Sequence, residues 1–428
     1  MRRGTARIVG ILTGVVLYSL AGAGGWPTAA HAATASPGDI FGYSAAVDGD
    51  TAVYGSPQDD PLLLSNAGSA TVFVRSGTTW TKQATLTANN ASPGDFFGRW
   101  VEVDANTVIV GAPRNTSAAR TETAAALAGS AYVFVRSGSS WSQQAELSSS
   151  DSSNGDLFGR GVAIEGDTAV VSAPFHDTNG KQDAGAAYVF VRSGSTWTKQ
   201  AKLSAPDGRA GDLFSKDIAL SGDTLIIGSP SADPGGLRNS GAAYIFVRSG
   251  STWTLQAKLV SPGPQYAGKF GRSVGVSGET VVVAAPYEDT SGGADAGRDY
   301  VFTRSGSTWT MQAPLIAPDG AANDRLGFRM DFQGDTAVLN APQDDCPGVN
   351  NCGSVYVYVR SGTTWALQQK ILPPTPGVGD HFGRAAGIDG DTAAFGSPYD
   401  DTSQGKDAGS GYVFVRSGGA WSLQASFV

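Results

Sequence analysis

Apolar and polar positions alternate along this chain in short runs. Between residues 212 and 259, Ile218–Leu220 opens one apolar run and Ser221-Gly222-Asp223 breaks it with turn-forming residues. Thr224-Leu225-Ile226-Ile227-Gly228 is continuously apolar, the mark of a strand covered on both faces. Pro230 ends it, since proline cannot donate to a ladder. After a polar loop from Ser231 to Ser240, Ala242–Arg248 alternates, with Tyr244 and Phe246 on one face and Ile245 and Val247 on the other. A second tight turn, Ser249-Gly250-Ser251-Thr252, leads into Trp253–Leu259. There Trp253, Leu255, Ala257 and Leu259 share one face and Thr254, Gln256 and Lys258 the other, which predicts a half-buried outer strand. No stretch shows a helical period. The pattern predicts four antiparallel strands, A to D.

The same pattern occurs seven times. Its closing tryptophan falls at Trp80, Trp141, Trp197, Trp253, Trp309, Trp365 and Trp421, spaced by 61 residues once and by 56 thereafter. A four-stranded sheet with apolar residues on both faces must stack on a neighbour each way. Closing seven such sheets in a ring leaves no greasy end, so the expected fold is all-β, a seven-bladed β-propeller of four-stranded antiparallel blades. The expected blades span residues 37–87, 88–148, 149–204, 205–260, 261–316, 317–372 and 373–428, within one domain over 33–428. Every blade's four strands are contiguous, so blades one and seven are expected to close the ring by packing face to face.

A Phe-Gly pair opens most repeats, as at Phe97-Gly98 and Phe382-Gly383. Gly111-Ala112-Pro113 and Gly396-Ser397-Pro398 follow, and then Gly-x-x-Tyr-Val-Phe. This combination resembles the FG-GAP repeat, which builds the propeller of integrin α subunits and occurs in many secreted bacterial proteins. The resemblance covers all seven repeats and implies an adhesion or recognition role. Integrin-type repeats often carry a calcium loop between strands A and B. Here only short turns stand there, such as Glu165-Gly166-Asp167, too short to supply the six or more oxygens calcium takes. No cofactor is therefore expected, and calcium stays an open alternative.

Arg2, Arg3 and Arg7, the apolar run Ile8–Ala23 and Ala30-His31-Ala32 have the form of a secretory signal over residues 1–32. Its removal takes the formal charge from −8 to −11. An acidic surface argues against nucleic acid and anionic membranes as partners. The protein is expected to be secreted or periplasmic and monomeric, with no membrane span in the mature chain. Cys346 and Cys352 lie in one loop, and export permits a disulfide between them. A two-thiolate metal site is the alternative.

In a meander the B–C and D–A connections emerge on one rim. These are the long, variable ones, so a site is expected there. The B–C loops are acidic, and Asp177, Asp183, Asp289, Asp295, Asp400, Asp401 and Asp407 are candidate ligand-binding residues, with Tyr287 and Tyr399 as candidate contact aromatics. Turn chemistry is the competing reading for the aspartates. Repeat two differs, with Arg114-Asn115-Thr116 and an Ala-rich insertion through Leu127. Arg99, Arg160, Arg272 and Arg384 follow the Phe-Gly pairs and are expected to pair with the aspartates that precede them, anion binding being the alternative. Seven arginines, from Arg75 to Arg416, stand five residues before each tryptophan and are expected to stack on it.

No catalytic motif is found: there is no His-Glu-x-x-His, Gly-x-Ser-x-Gly or phosphate-cradling loop. The expected function is that of a secreted, non-catalytic β-propeller binding an extracellular protein or glycan through its loop-rich rim. The alternatives are an extracellular hydrolase or lyase with a site at the loop-rich rim or channel mouth, using carboxylates or His176, and a structural surface module with no single ligand.

Overall fold

A computed structural model describes residues 36–115 and 128–428. The expected signal segment, and most of the repeat-two insertion, lie outside the described residues. Seven four-stranded sheets follow one another along the chain, each an antiparallel meander of contiguous strands, and no α-helix occurs among the described residues. Blade four shows the plan, with strand A at Ile218–Ser221, B at Thr224–Ser229, C at Ala242–Ser249 and D at Thr252–Leu259. Strand A lines a central channel, strand B is wholly buried, and strand D is outermost.

Strand D departs from the expected alternation. The register between strands C and D shifts after Ile245, leaving Gln256 unpaired in a bulge. Leu255 is therefore 39% exposed rather than facing inward with Trp253. The bulge aims Gln256 at the next blade, where it accepts a hydrogen bond from Trp309 Nε1 at 2.8 Å. The same bond recurs seven times around the ring, at 2.7–3.2 Å.

Two more girdles join the blades. The backbone N–H of each Phe-Gly phenylalanine, or of Leu326, donates to the preceding blade's B–C loop at 2.8–3.0 Å. The next residue of that loop is a glycine at φ +85 to +89°, and a Cβ there would lie 2.0–2.3 Å from the incoming carbonyl oxygen. Only glycine tolerates both the conformation and the approach. On the opposite rim, the last residue of each strand A accepts an N–H from the next blade's A–B turn, Asp389 from Gly49 and so around, at 2.5–3.3 Å.

The ring closes as expected. Phe41 pairs with Gly409, Trp80 with Gln424, and Phe427 stacks on Phe73 at 3.8 Å. One core cluster holds both Phe41 and Val413. Cys346 and Cys352 form the expected disulfide, with Cα atoms 5.8 Å apart.

Each repeated arginine sits opposite its tryptophan, with the guanidinium 5.1–5.6 Å from the ring. It also binds its own A–B turn, as Arg248 binds Asp223 at 2.6 Å, and in six blades a threonine of the preceding blade.

Candidate functional site

The residue after each Phe-Gly position enters the channel where strand A begins. Around the ring these residues are Tyr43, Arg99, Arg160, Lys216, Arg272, Phe328 and Arg384. Arg329 and Trp100, one position further on, join them. The aromatic rings lie against the guanidinium groups: Arg329 over Trp100 at 3.8 Å, Arg99 over Tyr43 at 4.2 Å, Arg272 over Phe328 at 4.5 Å, and Arg384 over Tyr43 at 4.6 Å. Tyr43 and Arg160, Arg329 and Arg384 are buried. Together these side chains form a cationic septum across the channel.

Below the septum the channel is a cavity of about 380 Å³, running along the strands A to the A–B turns. Tyr43, Trp100, Arg329 and Arg384 line it, whereas Arg99, Lys216, Arg272 and Phe328, which precede their strands A at the loop-rich end of the channel, do not. Its walls carry Glu102, Asp217 and Asp331. Glu102 keeps contact with the channel, yet protein encircles it. Burial, with Asp331 and Asp217 nearby, holds its carboxyl well above the ordinary range. Burial likewise pushes Asp331 up to about 6, against two backbone N–H bonds. Glu102 thus keeps its proton at neutral pH, and five arginines make the septum cationic.

The cations feel one another. Burial and the surrounding arginines pull Lys216 down to about 6, so its amine is largely neutral at pH 7. Burial, then Arg99, brings Arg160 to about 9, still charged at neutral pH. For the Tyr43 phenol burial works upward, but Arg384, Arg99, Arg160 and Arg329 outweigh it and draw the phenol to about 8.

The pairing expected between these arginines and the preceding aspartates does not occur. The residue between them, such as Leu157 or His381, lies at φ +52 to +59° and reverses the chain. Asp95 and Asp156 consequently point back to the loop, accepting the N–H three residues earlier at 2.7 and 2.8 Å. Asp39, Asp212 and Asp324 do the same. The arginines go into the channel instead.

The family model for the FG-GAP repeat matches residues 30–73, 80–134, 141–190, 197–246, 253–302, 309–358 and 365–414. The chain belongs to the FG-GAP repeat family. Each match after the first runs from a tryptophan of one strand D to the phenylalanine or tyrosine in strand C of the next blade, so the sequence repeat straddles two blades. Among solved structures, the crystal structure of Saccharomyces cerevisiae Sqt1 is similar at 10% identity, covering 91% of this chain and 86% of that chain with a TM-score of 0.48. No curated protein matches.

In this FG-GAP propeller the candidate rim aspartates act within their own blades. Asp177, Asp289 and Asp401 each accept the backbone N–H six residues on, from Asp183, Asp295 and Asp407. Those three partners sit at φ +50 to +52°. Asp400 is buried against the hydroxyls of Ser410 and Tyr412. No group of three or more metal-ligating side chains forms among the described residues. His176 is 4% exposed, its Nδ1 2.6 Å from Asp156 and its Nε2 2.7 Å from Lys202.

The two tyrosines stand nearer the septum. Tyr287 lies under Arg325 at 4.8 Å, and Tyr399 packs edge-on to His381 at 5.4 Å. Sequence reasoning missed Lys216, Arg329, Tyr43 and Trp100. Tyr43 and Lys216 shared a register position with the noted arginines, which was signal enough to find them. Arg329 and Trp100 carried no such mark.

Proposed function

We propose that this FG-GAP propeller is a secreted, non-catalytic recognition module that binds an extracellular protein or glycan on its loop-rich face. The distribution of exposed apolar side chains carries this reading. Leu62 and Leu63 stand on a B–C loop at 85% and 96% exposure, and Val260, Tyr266, Ile316, Leu372 and Val378 on D–A connections. The remaining two among the described residues, Leu255 and Met311, belong to strand D. None falls on an A–B or C–D turn. Apolar groups gathered on one rim of a rigid disc mark a binding surface better than scattered ones do. Export is supported by the signal-like segment, the disulfide and the family. No helix among the described residues is long and apolar enough to cross a membrane.

Labelled mature protein on arrays of extracellular glycans and purified extracellular proteins tests this reading. Leu63→Ser with Tyr266→Ala should weaken capture at least tenfold, while Thr78→Arg and Ser195→Arg on the plain rim leave it unchanged. Capture lost only with the plain-rim changes would overturn the assignment of the binding face.

A further inference from the structure

We propose that the cationic septum is a binding site for a tetrahedral oxyanion, a sulfate or phosphate group, either free or borne as an ester on an extracellular glycan. This deepens the reading of the loop-rich face as the binding face and rests on it. The carrying observation is unmet hydrogen bonding. The Nη1 atoms of Arg160, Arg272, Arg329 and Arg384 are buried and have no hydrogen-bond partner in the protein. Arg160, Arg329 and Arg384 are themselves 8%, 6% and 9% exposed. A buried guanidinium without a partner is costly, and a charged group in that state calls for a counter-charge.

The protein supplies little of it. Asp217 Oδ1 is 3.9 Å from Arg329 Nη1, too long for a hydrogen bond, and Asp217 Oδ2 already accepts Ser273 Oγ at 2.8 Å and the Val274 N–H at 3.0 Å. Glu102 and Asp331 sit lower in the channel: burial holds Glu102 in its protonated form, and the Asp331 oxygens accept the N–H groups of Phe332 and Ile388. Among the described residues only Arg384 Nη2 finds a neutral acceptor, the Tyr43 hydroxyl at 2.7 Å.

Geometry explains what remains free. The rings of Trp100, Phe328 and Tyr43 pack 3.8, 4.5 and 4.6 Å from the guanidinium groups of Arg329, Arg272 and Arg384. That leaves the N–H edges, the part of arginine that matches sulfate, phosphate and carboxylate in paired hydrogen bonds. The edges come from blades three, five, six and seven, so they approach from around a ring. A planar carboxylate presents its acceptors in one plane, whereas a tetrahedral anion presents them in all directions. Arg99 and Arg272 precede their strands A, at the loop-rich end of the channel, and give the anion its approach from that side.

Calorimetric titration of the mature chain with inorganic sulfate and with inorganic phosphate tests the site, against chloride and acetate at matched ionic strength. Sulfate or phosphate should bind with saturation and raise the melting temperature, acetate at least tenfold more weakly, and Arg160→Met should cost at least tenfold in affinity. If that variant does not fold, the wild type gives an independent readout. Tyr43 ionisation, followed by tyrosinate absorbance and assigned by its loss in Tyr43→Phe, should move upward from about 8 when sulfate is added, because the anion offsets Arg384, Arg99, Arg160 and Arg329. A sulfated oligosaccharide that competes with free sulfate identifies a glycan ester as the source, and free ion alone identifies an inorganic ligand. Equal small effects from every salt, with Tyr43 unmoved, would overturn the proposal. Should capture on the loop-rich face persist while sulfate and phosphate fail, the septum site alone is wrong. If an oxyanion binds yet no loop substitution alters capture, it is the binding-face reading that fails.

Discussion

At the level of single residues, repetition makes an exception easy to see. Strand C of blade five carries Asp299 where the other blades carry Ala70, Ala131, Ala187, Ala243, Val355 and Gly411. Asp299 is fully buried and neither carboxyl oxygen has a hydrogen-bond partner. Burial raises its proton affinity well above the ordinary carboxylate range. The native state therefore keeps this proton where the unfolded chain has released it. Stability from this group is lost as pH rises above the unfolded value of about 4. Asp299→Ala should thus stabilise the fold by about 1–3 kcal/mol, the cost of an unsatisfied buried polar group. The gain should grow between pH 4 and 7. Urea melts of both proteins at several pH values check this, and a variant less stable than the parent at pH 7 would show that Asp299 has a partner in solution.

At the level of the element, each strand D serves two blades. The last one, Ala420–Phe427, contributes Trp421 to its own sheet and Gln424 as acceptor for Trp80 of blade one. Its Phe427 stacks on Phe73 across the seam. Deleting Trp421–Val428 should abolish cooperative unfolding of the whole ring, seen as loss of a sigmoidal denaturant transition by tryptophan fluorescence. A truncated chain that still melts sharply near the parent's temperature would mean that blades are stable in shorter arrays. Much of this element's behaviour was legible in sequence. The period fixed the blade count, Gly and Pro placed the turns, and the Arg-to-Trp spacing gave the hairpin register. The bulge was not legible, because Thr-Leu-Gln-Ala reads as plain alternation, and the glutamine's reason for recurring is a tryptophan 53 residues away. The septum was half legible. Its arginines were noted, but local adjacency suggested the wrong partners, since a single left-handed residue turns each aspartate away from the arginine that follows it.

At the level of the whole molecule, the acidic B–C loops and the closed ring each make a definite claim. The loop carboxylates of Asp60, Asp177, Asp233, Asp289, Asp345 and Asp401 already accept backbone N–H groups. Calcium in excess of a chelator should then leave the melting temperature unchanged, because a ligand raises it only by favouring the folded state. A clear rise would show these loops reorganising around the ion. The ring itself predicts that the chain's ends are arbitrary. The seam between blades seven and one carries the same three girdles as every internal junction: Phe41 to Ala408, Trp80 to Gln424, and Gly49 to Asp389. Internal junctions place Leu259 and Phe270 eleven residues apart, and the same spacing holds at Leu86–Phe97 and Ile371–Phe382. Fusing Val428 directly to Ala32 reproduces that spacing between Phe427 and Phe41. A permutant joined there and opened between Pro262 and Gly263, in an exposed connection, keeps every strand pairing. Closing so short a loop differs little in entropy from opening another of equal length. The permutant should melt within a few degrees of the parent and keep its tryptophan emission. Failure to fold would mean that the seam is held by the order of the chain rather than by the three girdles and the Phe427–Phe73 stack that adds to them there.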